Sequence, residues 1–531
     1  MESFKFIRIP VAPRHNRMSI LRIKPLAEKF GKPSWPGLLT IGAVMTGWLL
    51  AGCAVGPDFK RPAAPAGRDD TLLSLANTVA VTNVTGGEAQ HFNLAGDIAG
   101  DWWTLFHSPP LNDLIHLALT NNPDLKAAQA ALTVARENVL AQRGVYYPSV
   151  SGGFSASRAK ASELLAPVPN YPTTPQEFQY NLFTPQVSIS YSPDVFGLNR
   201  RTVESVKAQE QNVRFQMIAA YTTLTANVVV TAIQAAAVQA QIDATRQLVA
   251  LNSNMVEILR YQYTKGYAGR LDVVAQESQL AQVSAALPPL LKQAAQLRDL
   301  LAVLAGRFPN QSPAEKLELA SLQLPLEIPL SLPSQLVAQR PDVLQAEASL
   351  HAASAQIGIA IANRLPNITL TADAGSTALS LDKVFSSGTG FWGLGAAAAA
   401  PLFQGGQLLH QERAAKAAYL QAAEQYRSTV LAAFQNVADT LAALEQDAEG
   451  LKAAATAAND AQETLDLSRR QWQDGYISYL AFLSAEQAYQ QSRINLVQAQ
   501  ANRYADTAAL FQALGGGWWH RADLTKDKNE K

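Results

Sequence analysis

Short segments with a two-residue hydrophobic period stand out against a largely helical background. In 186–192 and 366–375, apolar residues alternate with small polar residues, as in a β-strand with one apolar face. Each segment has a weaker neighbour that is rich in glycine or alanine, at 149–161 and 388–403. The pattern predicts four strands arranged as two pairs. A half-buried sheet of a water-soluble protein has the same alternation, so the pattern alone does not place the strands in a membrane.

The same order of segments occurs twice along the chain. One copy begins at Pro123 and the other at Pro341, and each has a second proline 25 residues later (148 − 123 = 25 and 366 − 341 = 25). An aspartate follows the first proline of each copy. Proline and aspartate both favour the first turn of a helix, and the later proline ends it. Each copy therefore predicts a helix that leads into a strand pair.

A much longer helical stretch follows each strand pair. It lies between Gly197 and Gly266 in the first copy and between Gly406 and Gly475 in the second, and both spacings are 69 residues (266 − 197 and 475 − 406). A helix of this length spans roughly 100 Å at about 1.5 Å per residue. Such helices are stabilised by lateral coiled-coil packing, here through alanine-rich faces. Another helical stretch closes each copy.

These patterns divide the chain into six parts. The predicted boundaries are 1–52 for a lipoprotein signal peptide, 53–110 for a lipid-anchored linker, 111–307 for repeat 1, 308–333 for a proline-rich connecting strap, 334–517 for repeat 2 and 518–531 for a polar C-terminal tail. Each repeat contains short helices, two strands and a long helix pair.

The first 52 residues have the composition of an export signal. A basic lead precedes the apolar run 37–52, which is shorter than the roughly 20 residues of a membrane span. The run ends in Leu50-Ala51-Gly52-Cys53, which resembles the bacterial lipobox. The resemblance implies cleavage between Gly52 and Cys53 and a Cys53 that carries N-palmitoyl and S-diacylglycerol groups. The alternative for Cys53, the only cysteine of the chain, is an ordinary buried thiol.

Four strands cannot close a barrel in a membrane. An open sheet edge in lipid leaves backbone groups unpaired, at a cost of several kcal/mol for each group. Several copies of the chain must therefore pool their strands. Two copies give eight strands, which fill with their own side chains, and three give twelve, which leave an aqueous bore. Aromatic residues near the predicted strand ends suit the interfacial girdles of such a barrel, namely Tyr146, Tyr147, Phe183, Tyr191, Trp392 and Phe403.

Taken together, the ordered motifs resemble the TolC-like outer-membrane efflux channels, and among them the NodT-type lipoproteins of resistance-nodulation-division (RND) systems. The motifs are CAVGPDFKRP at 53–62, WWTLFHSPPLNDLIHLAL at 102–119, the paired NPDL and RPDV helix starts, and ALGGGW at 513–518. The resemblance covers nearly all of the chain after the signal. It implies an α+β membrane protein in which a homotrimer builds a transmembrane β-barrel and an all-helical periplasmic α-barrel.

The same resemblance implies a function, partners and a location. The expected protein is a passive exit duct that receives small molecules from an inner-membrane RND pump through a periplasmic adaptor protein. It is expected in the outer membrane, bound by its lipid anchor and spanning the bilayer, with a periplasmic extension. The residue after Cys53 is Ala54 and not the aspartate that resembles an inner-membrane retention signal. Neither an enzyme activity nor a cofactor is expected.

The periplasmic tip is expected at the helix-to-helix turns around Gly266 and Gly475. Relatives often carry aspartates after the second turn, whereas this chain has Ala481 and Ser484 there. Asp272 matches Ala481 in the first copy, and Asp474 lies at the second turn. These positions are candidates for the channel aperture. An ordinary solvated surface carboxylate is the alternative for Asp272.

Composition and motifs exclude several other classes of function. Lysine plus arginine equals aspartate plus glutamate at 43 each, so no basic field indicates nucleic-acid binding. One cysteine and scattered histidines give no metal-site spacing. Two alternatives remain: a lipid-anchored periplasmic coiled-coil scaffold, or a periplasmic enzyme that uses His107, Asp113 and His116.

Overall fold

The computed structural model describes residues 54–63, 77–93, 96–161, 178–311, 317–330 and 337–525. The predicted signal peptide and Cys53 lie outside these residues. The helices of the described residues are α1 Pro109–Asn121, α2 Pro123–Arg143, α3 Leu198–Thr264, α4 Arg270–Leu304, α5 Pro341–Ala362, α6 Gln407–Gln473, α7 Tyr479–Ala513 and α8 Ala522–Thr525. The strands are β1 His91–Asn93, β2 Ser149–Ala161, β3 Phe178–Tyr191, β4 Glu327–Pro329, β5 Asn367–Ser376 and β6 Gly390–Ala399.

The two short helices that lead into the strands begin where proline and aspartate predict. α2 and α5 each have proline in the first turn, followed by an acidic residue, Asp124 or Asp342. The side chain of Asn122 caps α2 by accepting a 3.0 Å hydrogen bond from the Leu125 amide. These features satisfy donors at the helix start and complement its positive end.

Both long helices, α3 and α6, contain 67 residues, slightly fewer than the 69-residue spacing of the glycines that border them. At about 1.5 Å per residue each is roughly 100 Å long. The bordering glycines Gly197, Gly266, Gly406 and Gly475 all have φ between 79° and 87°, a conformation that side chains disfavour. After each turn the chain returns along a 35-residue helix, α4 or α7, which makes two long hairpins.

The helices form two rows, and each row has two ends. Along the hairpins, α4 packs on α3, α3 on α7 and α7 on α6. Nearer the sheet, α2 packs on α3, α3 on α5 and α5 on α6. Among the described residues, α3 is the one helix that is long and apolar enough to cross a membrane, with mean hydropathy 1.3 in an 18-residue window. That window is 67% buried inside the chain, so its apolar residues serve helix packing.

The four longer strands form one antiparallel sheet in the order β2–β3–β5–β6. β2 and β6 are therefore its two edges. The sheet corrects one expectation, because Phe183 lies inside β3, opposite Ala156, and not at a strand end.

The largest core lies where the linker, the connecting strap and the helix rows meet. Stacked and edge-to-face aromatic rings fill it, with Trp102 and Phe511 at a centroid distance of 5.2 Å. The short parallel pair β1–β4 ties the linker to the strap. The buried Gln90 amide strengthens this tie by donating to the Pro325 carbonyl at 3.1 Å and to the Thr507 hydroxyl at 3.0 Å.

Candidate functional site

The four-stranded sheet has one apolar face and one polar face. Residues paired directly across strands share a face, as do Val150, Ile189, Ala372 and Leu394 in one row. Seven large apolar residues of this face are between 39% and 78% exposed, namely Val150, Phe154, Val187, Ile189, Leu370, Trp392 and Leu394. A continuous exposed apolar surface is typical of an interface with lipid or with another protein.

The opposite face of the sheet carries mainly small polar and glycine residues, together with Tyr180, Leu182 and Phe391. One of its rows contains Ser151, Ser188, Asp373 and Gly393. An apolar outer face and a polar inner face on strands of 10 to 14 residues suit a transmembrane β-barrel wall.

At the far end of the helices, an apolar cluster brings the two predicted tip turns together. Leu259 of α3 and Val273 of α4 pack with Leu465 of α6 and Phe482 of α7. The rings of Trp472 and Phe482 stack at 5.4 Å. The turns at Gly266 and Gly475 therefore form a single tip of the chain.

The aperture candidates have different environments at this tip. Asp272 is partly exposed and caps α4, because its Oδ2 accepts a 3.0 Å hydrogen bond from the Gly269 amide. Asp474 is exposed at the end of α6. Ser484 is exposed on α7 and donates to the Leu480 carbonyl at 3.0 Å. At the tip turn around Gly266, one carboxylate oxygen of the aperture candidate Asp272 is therefore already engaged in capping α4.

Exposed tyrosines at the tip went unnoticed in the sequence. Tyr267 follows Gly266 and is 85% exposed, and Tyr476 follows Gly475 and is 80% exposed. Leu271 and Leu480 add apolar surface beside them, at 69% and 49% exposure. The repeated Gly-Tyr dipeptide was the available signal.

Behind the tip, a buried polar network joins both hairpins. Asn252 of α3 donates to Glu486 Oε1 of α7 at 3.0 Å and accepts from Gln276 Nε2 of α4 at 2.8 Å. The Tyr479 hydroxyl donates to the Gln276 side-chain oxygen. Burial raises the pKa of the Glu486 carboxyl, and the hydrogen bond from Asn252 counters part of that rise. The network connects α3, α4 and α7.

At the opposite end, the segment directly after Cys53 is fixed to the start of α3. The buried Arg201 guanidinium binds the Val55 and Gly56 carbonyls and pairs with Asp58 at 2.7 Å. Ala54 lies against Gly197, where an added Cβ would be 2.6 Å from the Ala54 Cα. The residue that follows the predicted acylation site is thus fixed at the start of α3.

Comparison with known proteins identifies the chain. The family model for outer membrane efflux proteins matches residues 114–307 and 332–516. The chain belongs to this family. The resemblance to TolC-like efflux channels is therefore confirmed, and so is the location in the outer membrane, with a membrane-spanning part and a periplasmic extension.

Individual members of the family resemble the chain over nearly its full length. The antibiotic efflux pump outer membrane protein ArpC of Pseudomonas putida is 29% identical over 91% of this chain and 96% of ArpC. The toluene efflux pump outer membrane protein TtgF, also of Pseudomonas putida, is 30% identical over 88% of this chain and 95% of TtgF. The solved outer-membrane channel OprN has the same fold, with a TM-score of 0.77, 24% identity and coverage of 88% of this chain and 100% of OprN.

The outer membrane efflux proteins are a family of transport channels and not a known enzyme family. The enzyme alternative needed His107, Asp113 and His116 to converge. Asp113 and His116 are exposed on α1, and His107 Nδ1 lies 2.8 Å from the Leu105 carbonyl oxygen in the preceding turn. Among the described residues, no group of three or more histidine, cysteine or acidic side chains could hold a metal ion.

Two carboxyl groups face each other on α6 and α7 of this efflux protein. Burial, followed by the hydrogen bond and charge of Asp506, raises the pKa of Asp447 to about 7. Burial also lowers the pKa of the neighbouring Arg503 guanidinium, which donates to the Thr78 hydroxyl and the Glu88 carbonyl of the linker. A hydrogen bond between two carboxyl groups needs one proton, so this site binds a proton more tightly in the folded chain.

Proposed function

We propose that the protein is the outer-membrane exit duct of a tripartite efflux system. Small molecules would pass through it without chemical change, from an inner-membrane RND pump and a periplasmic adaptor to the outside. The observation that carries the proposal is the alignment of open edges in one chain. The sheet ends in β2 on one side and in β6 on the other. The two helix rows end in α2 and α4 on the first side, and both end in α6 on the second.

This alignment supports closure by identical copies. Each added copy would pair with one sheet edge of its neighbour. On the same side it would also pack against one end of each helix row. Two copies would build an eight-stranded barrel filled by side chains, whereas three build a twelve-stranded barrel with an aqueous bore. A homotrimer is therefore the assembly that serves transport.

We also propose that the chain is an internal duplication, with repeat 1 at 111–307, the connecting strap at 308–333 and repeat 2 at 334–517. The equal lengths of α3 and α6, and of α4 and α7, support it. The family model also aligns in two parts. The linker at 53–110 and the tail at 518–531 flank the two repeats.

A lipid anchor on Cys53 fits the same arrangement. We propose cleavage of residues 1–52 before Cys53, followed by acylation of that residue. Because Ala54 is held at the start of α3, beside the end of β3, acyl chains on Cys53 would enter the inner leaflet next to the barrel. More than one acyl chain gives stable membrane attachment.

The tip would carry the aperture and the adaptor contact. Asp272, Asp474 and Ser484 are our candidates for the narrowest ring, around the turns at Gly266 and Gly475. The exposed pair Tyr267 and Tyr476 offers an aromatic surface of the kind enriched in protein interfaces. An adaptor that ends in apolar helix turns would fit this surface.

Reconstitution of the purified full-length protein into planar bilayers tests the duct against the alternative, a lipid-anchored periplasmic scaffold. The duct predicts discrete ion-conducting steps, which become more frequent in a variant that loosens the tip, Asn252→Leu. A scaffold predicts an unbroken seal with either protein. A preparation that carries the anchor but never conducts contradicts the proposal.

A further inference from the structure

The apolar face of the β2–β3 hairpin, which is the outer face in a barrel, changes character along its length. The residue-by-residue pairing of β2 with β3 is unbroken, so alternate residues of β2 stay on one face from end to end. In the first part of the strand this face carries Val150 and Phe154, which are 67% and 60% exposed. At the far end it carries Arg158 and Lys160, which are also exposed. The apolar surface of the hairpin therefore gives way to a basic one.

The inner face of the same hairpin changes in the opposite sense. It begins with small polar residues such as Ser151 and Ser188 and ends with Leu182 and Tyr180. Basic residues on the lipid-facing side of a barrel are strongly destabilising at the membrane midplane and nearly neutral at the membrane surfaces. The exchange of apolar and polar faces beyond Ala156 therefore marks the point where the hairpin leaves the hydrocarbon.

The length of β2 places this point at the outer surface of the membrane. Ser149, where the strand starts, is nine residues before Arg158 (158 − 149 = 9). At about 3.4 Å per residue and a tilt of about 35–45°, nine residues rise by about 22–25 Å, which matches an apolar band about 25 Å tall. Tyr147, 73% exposed just before the strand, suits the aromatic girdle of the inner surface. Because the helices extend into the periplasm, Arg158 and Lys160 lie at the level of the outer leaflet.

We propose that Arg158 and Lys160 bind the phosphate groups of lipopolysaccharide, the glycolipid of the outer leaflet. The proposal goes beyond the duct and rests on it only in taking the apolar face of the sheet as the outer one. Lipid A, the membrane anchor of lipopolysaccharide, carries phosphates on sugars directly above its acyl chains, which is the depth at which the two side chains emerge. Guanidinium and ammonium groups both form short, charge-assisted hydrogen bonds with phosphate.

The surroundings of the two basic residues favour an anion. Arg158 and Lys160 are separated by about 6.8 Å along the strand, so their long side chains can reach one phosphate or two neighbouring ones. The Arg158 guanidinium donates to the Gln179 side-chain oxygen at 3.4 Å, which orients it along this face of the hairpin. Asn181, opposite Arg158, adds a side-chain amide. Among the described strand residues of the sheet, the outer face carries no aspartate or glutamate, so its net charge is positive.

Titration of the purified full-length protein in detergent with two forms of lipid A tests the proposal. One form carries both phosphates, and from the other they have been removed enzymatically. The test variant is Arg158→Gln/Lys160→Gln. The matched control, Lys292→Gln/Arg298→Gln, removes the same two charges from exposed positions on α4. A third variant, Arg158→Lys/Lys160→Arg, exchanges the two side chains and keeps both charges in place.

Two basic residues at an anionic lipid surface tighten binding together by about 30-fold, so Arg158→Gln/Lys160→Gln should bind phosphorylated lipid A about 30-fold more weakly than the wild type. The control and the charge-exchanged variant should bind it nearly as well as the wild type, and the dephosphorylated form should bind weakly to all four proteins.

Equal affinity of the wild type for both forms overturns the proposal without any substitution, and so does an equal loss in Lys292→Gln/Arg298→Gln. Native mass and conductance in planar bilayers separate this failure from a failure of the duct. A trimeric, conducting protein whose lipid binding ignores Arg158 and Lys160 refutes only this inference, whereas a monomer that never conducts refutes the duct itself.

Discussion

Replacing Asn252 with leucine tests the idea that the buried polar network holds the two hairpins together at the tip. The substitution removes a hydrogen bond to the buried Glu486 carboxylate and another from Gln276. A hydrogen bond to a charged group contributes about 1.5–3 kcal/mol and a neutral one about 0.5–1.5 kcal/mol, so the expected loss is about 2–4.5 kcal/mol per chain. The leucine leaves the backbone of α3 unchanged and fits a helix well.

Hydrogen exchange at the tip amides measures this loss directly. At about 1.4 kcal/mol per tenfold change, the opening equilibrium of the tip should rise by about 30-fold to about 1,600-fold. Asn254→Leu is the matched control, since Asn254 is two residues away on the same helix and is exposed. Adding Glu486→Leu to Asn252→Leu should restore part of the protection, because an apolar pair leaves no buried acceptor unpaired.

The buried carboxyl also makes the tip sensitive to pH. The folded state raises the pKa of Glu486 and so binds its proton more tightly than the unfolded chain. Its contribution to stability is complete below the unfolded pKa and is lost as the pH rises through the folded pKa. Glu486→Gln should remove this dependence. Equal exchange in Asn252→Leu and wild type, or an equal rise in Asn254→Leu, would refute the reasoning about the network.

Three further predictions concern the rest of the molecule. Leu394→Arg, on the exposed apolar face of the sheet, should cost about 2–4 kcal/mol per chain in a bilayer and reduce the assembled protein recovered from outer membranes, whereas Ser151→Arg on the polar face should be tolerated. Asp447→Asn should raise the unfolding temperature at pH 8 but not at pH 4, because the pKa of Asp447, about 7 when folded against 3.8 in its reference state, makes the wild type lose stability across that interval. Cys53→Ala should lose the acyl mass in mass spectrometry yet remain in the membrane fraction through its strands, and a fully water-soluble, monomeric variant would contradict the account.

Local signals in the sequence were sufficient for the regular elements. The strand predicted at 366–375 is observed as β5, Asn367–Ser376. Its apolar and polar residues alternate strictly after a proline, and this two-residue period is that of a strand with one apolar face. β3 is longer than the predicted 186–192, since it begins at Phe178 and contains Pro185. Proline normally argues against a strand interior, but Pro185 falls in a gap of the β3–β5 pairing. The register pairs run from Gln186 to Tyr191, and beyond the proline the pairing resumes only at the Phe183–Ala378 bridge.

Contacts between distant segments had no local signal. Asn252 and Glu486 are 234 residues apart in the chain, and their hydrogen bond depends on how one hairpin packs on the other. The capping role of Asp272 likewise became visible only with the Gly269 amide in place. Sequence periodicity predicts which face of a helix is buried, but the pairing of polar groups across two hairpins follows from their relative position.

Imaging of the detergent-solubilised full-length protein by electron cryo-microscopy tests the central claim most directly. Three chains that share their sheet edges predict a three-fold tube, with twelve strands at one end and helices of roughly 100 Å leading away from them. Single chains, or pairs closed into eight strands without a bore, would contradict the account.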